Sequence, residues 1–593
     1  MRVRVSIRLV ARHAKSGREA AVETPAAEAQ AVELPGGAGG VRVWLAERTD
    51  STGSLVLRLR CKAEMPDGWV LYEAALAFEL DPAGWSLLLP SGWGREVDPI
   101  PADLDFVGNY PGWSALAQLV ILQSADGGLS VSATDAGLEL KELRARMVGG
   151  EEGARLRVEI TRVPEKHGDS WLVMGLCDVL LSPHAGGWEV AAGGYRRRQE
   201  QIRPGLARPR EPHVLVQADP VWLVHDCFAF PAHTMEALLA AAAALEAPVL
   251  CHYYNWADAP FDTRYPDWVG FRDGAVERMR RLAAAGIPTT PYLNGRCWDT
   301  TTESYRRQGR PAAVRDVAGE VVTEIYPTSH IDLGVICPSS QAYRARIVEA
   351  AGRLAGSGAD LAGVYLDQLG AAFGLRCYGD GHDHAGGGAK SWNAGQREMV
   401  AGIRRRWREA AGTEPMLTTE NASEPLVDLL DGFLYYCGRR DDGLGRPAPL
   451  WQAIYGDVGG CFGDDYGKDF SMAEGRPPDR LVRRLARQAI FGNSLGWVAP
   501  QLVLGDCEPV GRLIRSARSA RLEHLPCFRG GLPCTDALDS TGERAGVFLS
   551  AWRADGATAA LAVNPSGAPA EFRWPDGHSG RLPAWSAEGR RVD

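Results

Sequence analysis

Long apolar runs are missing from this chain. Its most hydrophobic helical stretch, 237–245, is bracketed by Glu236 and Glu246 and is too short to cross a bilayer, so no membrane span is expected. An excess of positive charge is missing too. A formal net charge of -9 repels polyanions, and the basic triplets at 196–198 and 404–406 are short and flanked by Glu200 and Glu409, which argues against nucleic acid as a partner. Cysteine pairs are also absent: the 12 cysteines include no C-x-x-C and no metal-ligand spacing. Cys251, Cys297 and Cys337 fall at the ends of apolar runs, where a thiol packs as a small hydrophobe. Cys527 and Cys534 could bridge a loop, but reduced thiols in an intracellular protein are the expectation. The opening residues, from Arg2 to Leu9, alternate charged and apolar types and lack the continuous apolar core of a signal peptide, so they read as a strand and the location as cytoplasmic.

What is present is length with ordinary composition. A chain of 593 residues, 45% hydrophobic and 23% charged, exceeds one hydrophobic core and predicts about two to four soluble domains. Over residues 1–212 the pattern has period two, as in Val41-Arg42-Val43-Trp44-Leu45 and Arg155-Leu156-Arg157-Val158-Glu159-Ile160, which predicts an N-terminal β-sandwich of antiparallel strands with one wet face. Within it, 20–40 is rich in Ala, Glu, Pro and Gly and reads as a mobile loop or linker. Over 213–515 apolar strand, polar loop and amphipathic helix alternate. Strands are expected at 221–226, 249–254, 287–293, up to Asp367, up to Glu420, and at 432–436, 451–455 and 495–498, which fits a central (β/α)₈ TIM barrel. Over 516–593 short strands return and predict a small C-terminal β-sandwich. The fold class is therefore multidomain, α/β together with all-β.

Two carboxylates carry the chemistry. Asp367 ends the apolar run Leu361-Ala362-Gly363-Val364-Tyr365-Leu366, and Glu420 ends the next, Pro415-Met416-Leu417-Thr418-Thr419. Both fall at the C-terminal tips of consecutive parallel strands, where a barrel keeps its catalytic groups. Retaining glycoside hydrolysis needs one ionised carboxylate to attack the anomeric carbon and a second carboxyl to protonate the leaving oxygen, about 5–5.5 Å apart. Neighbouring strand tips supply that spacing, so Asp367 reads as nucleophile and Glu420 as acid/base. The bland reading is that a strand-end acid caps the following helix. Glu424, one helical turn after Glu420, is a second candidate for the acid.

Other rim residues offer donors, acceptors and aromatic faces to sugar hydroxyls: His225 and Asp226 after the first strand, Tyr253, Asn255 and Trp256 after the second, Asn294, Arg296, Trp298 and Asp299 after the third, and Gln368 beside Asp367. Trp298 and Trp268 are candidates to lie against an apolar sugar face. The glycine-rich loop after Asp367 carries His382 and His384 and reads as a lid over bound sugar. The alternative is metal, but no further ligands occur at recognisable spacing, so no metal and no cofactor are expected. A carbohydrate is the expected partner. A catalytically silent carbohydrate-binding barrel and a metal-dependent hydrolase using His382 and His384 remain as other readings.

The set formed by Tyr110-Pro111-Gly112-Trp113, the segment 118–129, Tyr292-Leu293-Asn294-Gly295-Arg296, Trp298-Asp299, Tyr365-Leu366-Asp367-Gln368, the His382/His384 glycine loop and Thr419-Glu420 resembles the domain-of-unknown-function family 6259. That family is similar to the endo-α-N-acetylgalactosaminidases of glycoside hydrolase family 101. The resemblance implies the order β-sandwich, barrel, β-sandwich, and places Asp367 at the nucleophile position and Glu420 at the acid/base position.

Overall fold

A computed structural model describes residues 3–592 apart from 151–152, 176, 208, 226–233, 269, 327, 436–443 and 465–478. Alternating sequence produces two antiparallel sheets in its first part. Arg4–His13, Trp69–Leu80, Gly153–Arg162 and Lys141–Gly150 are the central strands of a six-stranded sheet. Leu55–Glu64, Asp178–His184, Gly127–Thr134 and Leu119–Ser124 belong to a larger one. Leu9, Phe78 and Val158 from the first share one apolar core with Leu59, Val131 and Leu181 from the second. The segment expected to be a loop or linker is instead ordered as strands Glu19–Pro25 and Ala29–Leu34. Ala20, Val32 and Leu34 are buried there, while polar residues take the outer positions, so a period-two pattern lay beneath a linker-like composition.

Eight short parallel strands follow: β1 Val221–His225, β2 Val249–Tyr253, β3 Thr289–Asn294, β4 Gly363–Asp367, β5 Met416–Glu420, β6 Gly432–Leu434, β7 Gly460–Phe462 and β8 Gly496–Val498. They pair laterally in the order β7-β6-β5-β4-β3-β2-β1-β8. A bridge between Phe462 and Ser494 brings the two ends together, with the Ser494 amide donating to the Cys461 carbonyl at 2.8 Å. Burial on both faces explains why these strands read as apolar runs. The expected seventh strand, 451–455, is a helix, Leu450–Tyr455. Trp451, Ile454 and Tyr455 lie at i, i+3 and i+4, a helical spacing that a short apolar run hides. The actual seventh strand, Gly460-Cys461-Phe462, is too short to announce itself.

The tail begins as helix. Glu508–Leu522 and Leu525–Gly530 precede the strands that run from Leu532 to Val592, so the return to strands comes later than 516. Cys527 and Cys534 are both free thiols. Among the described residues no helix is long and apolar enough to cross a membrane.

A buried ion cluster ties the tail to the barrel. Arg521 Nη2 donates to both oxygens of Asp219 at 2.8 and 2.7 Å, and Arg529 Nη2 reaches Asp219 Oδ1 at 3.1 Å, with Asp219 and Arg521 wholly inaccessible. Removing one partner of a buried pair leaves uncompensated charge, at a cost of about 3–5 kcal/mol. Asp219→Ala is expected to lose about that much stability, read as a lower denaturant midpoint by tryptophan fluorescence. An unchanged midpoint would refute the role.

Candidate active site

The pairing of β4 with β5 builds the site. Tyr365 lies opposite Thr418 and Leu366 opposite Thr419, so the next step along both strands sets Asp367 beside Glu420 at the strand spacing of about 4.8 Å. Thr419 Oγ1 locks this register by donating to the Leu366 carbonyl at 2.7 Å. On the other side Asn294 of β3 pairs with Asp367. Side chains alternate across a strand, so Tyr365 faces the same way as Asp367, and Tyr292 the same way as Asn294. The Tyr292 hydroxyl donates to Asp367 Oδ2 at 2.9 Å and the Tyr365 hydroxyl to Oδ1 at 3.2 Å.

Burial raises the Asp367 carboxyl above the usual carboxylate range, opposed by hydrogen bonds from Glu420, Tyr292 and Tyr365. Two carboxyls at neighbouring strand tips influence each other's proton affinity, so the two groups titrate as a pair. His252 beneath it adds no charge. Its ring stacks on Tyr365 with centroids 4.2 Å apart, and burial depresses its pKa to about 3. The Trp497 indole donates to His252 Nδ1 at 3.0 Å, so Nε2 carries the hydrogen towards Thr418 Oγ1 at 3.2 Å.

A polar chain leads away from Asp367. The Tyr265 hydroxyl lies 3.2 Å from that of Tyr292 and 2.8 Å from Asp262 Oδ1. Burial pushes Asp262 up to about 6, with hydrogen bonds from Tyr265 and Thr328 opposing and the Asp367 charge adding. Asp262, Tyr265, Tyr292, Tyr365 and His252 were not singled out from the sequence for these contacts. For Tyr365 the signal was there, since it stands two residues before Asp367 on a strand.

Backbone geometry shapes the rim. Gln368 and Asn421, each just past a strand tip, have φ of 68° and 58°, the left-handed region that side-chain-bearing residues seldom occupy. Gln368 is half-buried. The Asn421 amide oxygen accepts from the Trp93 indole at 2.6 Å, so the N-terminal sheets brace the tip of β5. At Gly370 a Cβ would meet the Glu420 and Asn421 carbonyl oxygens at 2.6 Å, so glycine is required where the loop after Asp367 crosses β5.

Several expected sugar contacts serve the fold instead. Trp298 is wholly buried, with its indole donating to Ser304 Oγ at 2.9 Å and Arg346 over its ring, so it offers no face to a sugar. Trp268 is likewise buried, against Trp256 and Tyr265. Arg296 is buried in an ion pair with Glu324 at 2.7 Å and donates to the Phe373 carbonyl at 2.9 Å. Asp299 accepts from the Arg264 amide of the segment after β2 at 2.6 Å and from the Thr301 amide of its own loop at 2.8 Å. Asn294 Oδ1 accepts from the Arg296 and Cys297 amides at 3.0 and 2.9 Å, and its Nδ2 faces the Tyr292 hydroxyl at 3.4 Å. The Trp256 indole donates to the Tyr292 carbonyl at 2.7 Å, and Trp256 and Asn255 line a crevice of only about 20 Å³. The Tyr253 hydroxyl accepts from Arg278 Nε at 2.9 Å, while His225 is buried edge-on to the Tyr253 ring. Asp226 lies outside the described residues.

Glu424 is wholly buried away from solvent. Tyr195 donates to its Oε1 at 2.7 Å, Tyr455 to the same oxygen, and Gln118 Nε2 to its Oε2 at 3.2 Å. Both oxygens are occupied by struts from the N-terminal part and the barrel, which corrects the reading of Glu424 as acid or sugar ligand. His382 and His384 are not arranged as a lid. Their ring nitrogens face the thiols of Cys377 and Cys337 and two backbone carbonyls. The expectation of no metal ligands here rested on sequence spacing, and folding supplies Cys337 from outside the loop.

Asp262 makes stability pH-dependent. Its folded pKa, about 6, lies above the ordinary aspartate value near 3.8, so the neutral form is favoured by folding. That contribution, on the order of 2–3 kcal/mol, is complete below about pH 4 and is lost as pH rises through about 6. Asp262→Asn keeps the shape without the charge. Its stability advantage over the parent is expected to grow between about pH 4 and 6, persist at higher pH and vanish below about pH 4 in thermal unfolding, and a pH-independent difference would refute the assignment.

Residues 176–466 match the model of DUF6259, a domain of unknown function. A relative from Bacteroides thetaiotaomicron described as "Putative glycoside hydrolase" is 28% identical over 489 residues, covering 80% of this chain and 69% of that one. A second, described as "Putative glycoside hydrolase 22789" from Monosiga brevicollis, is 29% identical over 42% of this chain and 22% of that relative. Among solved structures, the α-N-acetylgalactosaminidase NagBb of Bifidobacterium bifidum in its GalNAc complex superposes with a TM-score of 0.65 at 14% identity, covering 93% of this chain and 92% of that one. The GH36 α-galactosidase AgaA of Geobacillus stearothermophilus superposes at 0.56 and 10% identity, covering 97% and 82%. These structural likenesses are likenesses of fold. By the sequence match, residues 176–466 of this chain are similar to the DUF6259 family.

Proposed function

We propose that this chain is a retaining α-glycosidase acting on galactose-like units, with Asp367 as nucleophile and Glu420 as acid/base. The observation that carries the reading is the carboxyl pair itself, half-buried Asp367 and buried Glu420 at adjacent tips of paired parallel strands. Inverting enzymes hold their carboxyls about 6.5–9.5 Å apart to admit a water between them, and carboxyls at neighbouring strand tips, with the strands about 4.8 Å apart, favour the retaining arrangement. The glycoside-hydrolase descriptions of the relatives support the reaction class, and the α-N-acetylgalactosaminidase and α-galactosidase folds support the galactose configuration. A glucose-like unit is the coarser alternative within the same chemistry.

In this reading Glu420 gives its proton to the departing glycosidic oxygen while an Asp367 oxygen forms a bond to the anomeric carbon. Tyr292 and Tyr365 hold the Asp367 carboxylate in place and stabilise its charge by donation. Glu420, now ionised, removes a proton from water, which attacks the same carbon and releases Asp367.

Asp367→Asn is expected to lose nearly all turnover of aryl α-galactosides while still folding, and parent-like activity would overturn the assignment. Glu420→Ala should slow glycosides with poor leaving groups by about 10²–10⁴-fold, spare activated aryl glycosides in the first step, and regain turnover with azide. The first product seen by proton NMR should keep the α configuration. An inverted product would rule out this mechanism.

A further inference from the structure

Cys337, Cys377, His382 and His384 come together from two separate segments. Cys337 lies just past the strand Asp332–Val335, and the other three belong to the loop joining β4 to the helix Ser391–Ala411. One sulfur or nitrogen from each lies within 4.8 Å of all the others. Cys337 Sγ is 3.2 Å from His384 Nε2, and Cys377 Sγ is 3.1 Å from His382 Nδ1.

The outward nitrogens settle the tautomers. His382 Nε2 is 2.9 Å from the Pro311 carbonyl and His384 Nδ1 is 2.8 Å from the Ala385 carbonyl. A carbonyl oxygen only accepts, so each outward nitrogen carries the hydrogen. Each inward nitrogen then presents its lone pair to the cluster. Imidazoles that ligate metals are oriented in this way by backbone carbonyls behind them.

We propose that these four side chains bind one zinc ion as a closed structural site. Two thiolates and two neutral imidazoles favour zinc over the hard cations magnesium and calcium. Binding displaces the two thiol protons, and the two sulfur charges neutralise the dication, which suits a site whose cysteines are buried. Four protein ligands leave no position for a water, so the ion is not a hydrolytic centre.

The ion would clamp the loop that begins at Asp367. That loop is already pinned at its far end, where the Lys166 amide donates to the Gly386 carbonyl at 2.9 Å. A Cβ at Gly387 would meet the Pro164 carbonyl oxygen at 2.5 Å, so the loop passes the N-terminal strands at closest approach beside the cluster. The ion would join the segment just past Asp332–Val335 to the loop after β4 without taking part in the chemistry of the carboxyl pair.

The full chain, purified under reducing conditions without chelator, should carry about one zinc per molecule by elemental mass spectrometry. Protein produced in cobalt-supplemented medium should show thiolate-to-cobalt charge transfer and the intense visible bands of tetrahedral cobalt. Cys377→Ser and His384→Ala should each lose the metal and become susceptible to protease within 369–390. If those variants fail to fold, the cobalt spectrum of the parent still decides. Metal-free protein with both thiols freely titratable, a Cys337–Cys377 disulfide in non-reducing peptide maps, or a cobalt spectrum without sulfur ligation would each overturn the proposal. None of these readouts depends on glycosidase activity.

Discussion

The lateral register between β4 and β5 is the constraint on which the site rests. In a strand pair a shift of one residue turns every side chain to the opposite face, so a slip would send Asp367 or Glu420 towards the surrounding helices. Three features oppose a slip. At Gly363 a Cβ would meet the Met416 carbonyl oxygen at 1.8 Å, so the start of β4 can approach β5 only as glycine. The Thr419 hydroxyl grips the Leu366 carbonyl. Gly370 lets the exit loop lie across the backbone of Glu420 and Asn421. With the register held, the tyrosines two positions earlier follow without further design.

Electrostatics at the pair are then set by dipoles. Arg296, the cation next along the chain from β3, is committed to Glu324, and His252 stays neutral beneath Tyr365. Hydroxyls of Tyr292 and Tyr365 stabilise negative charge on Asp367, and burial resists that charge. Two carboxyls in such a place hold one proton more readily than none or two. That balance is what a nucleophile and a proton donor at adjacent positions require, and it follows from burial and register alone.

The barrel does not stand alone. Asn421 is braced by Trp93, Glu424 by Tyr195 and Gln118, and Asp219 by Arg521 and Arg529. Each contact satisfies a buried polar group of the barrel with a donor from the sheets and helix before it or the helices after it. Unpaired, such groups would be penalised by desolvation, so these contacts couple the barrel to its flanks.

The sequence by itself determined the element types wherever periodicity and length agreed. The alternating strands of the first part, seven of the eight barrel strands, and the position of Asp367 and Glu420 at the ends of apolar runs were legible because they depend on neighbours within a few residues. Short or compositionally masked elements were not: Gly460–Phe462 spans three residues, and Ala29–Leu34 hides its pattern among Ala and Glu. Rim residues were legible as being at the rim, but not as to what they touch. Trp298, Arg296 and Asp299 turned inward to satisfy buried partners, and Glu424 met Tyr195 from 229 positions away. Cys337 and His384 are 47 apart, a separation that no local spacing rule reads. Such contacts were decided only by tertiary structure, because burial and hydrogen-bond satisfaction act between segments that folding alone brings within a few ångströms.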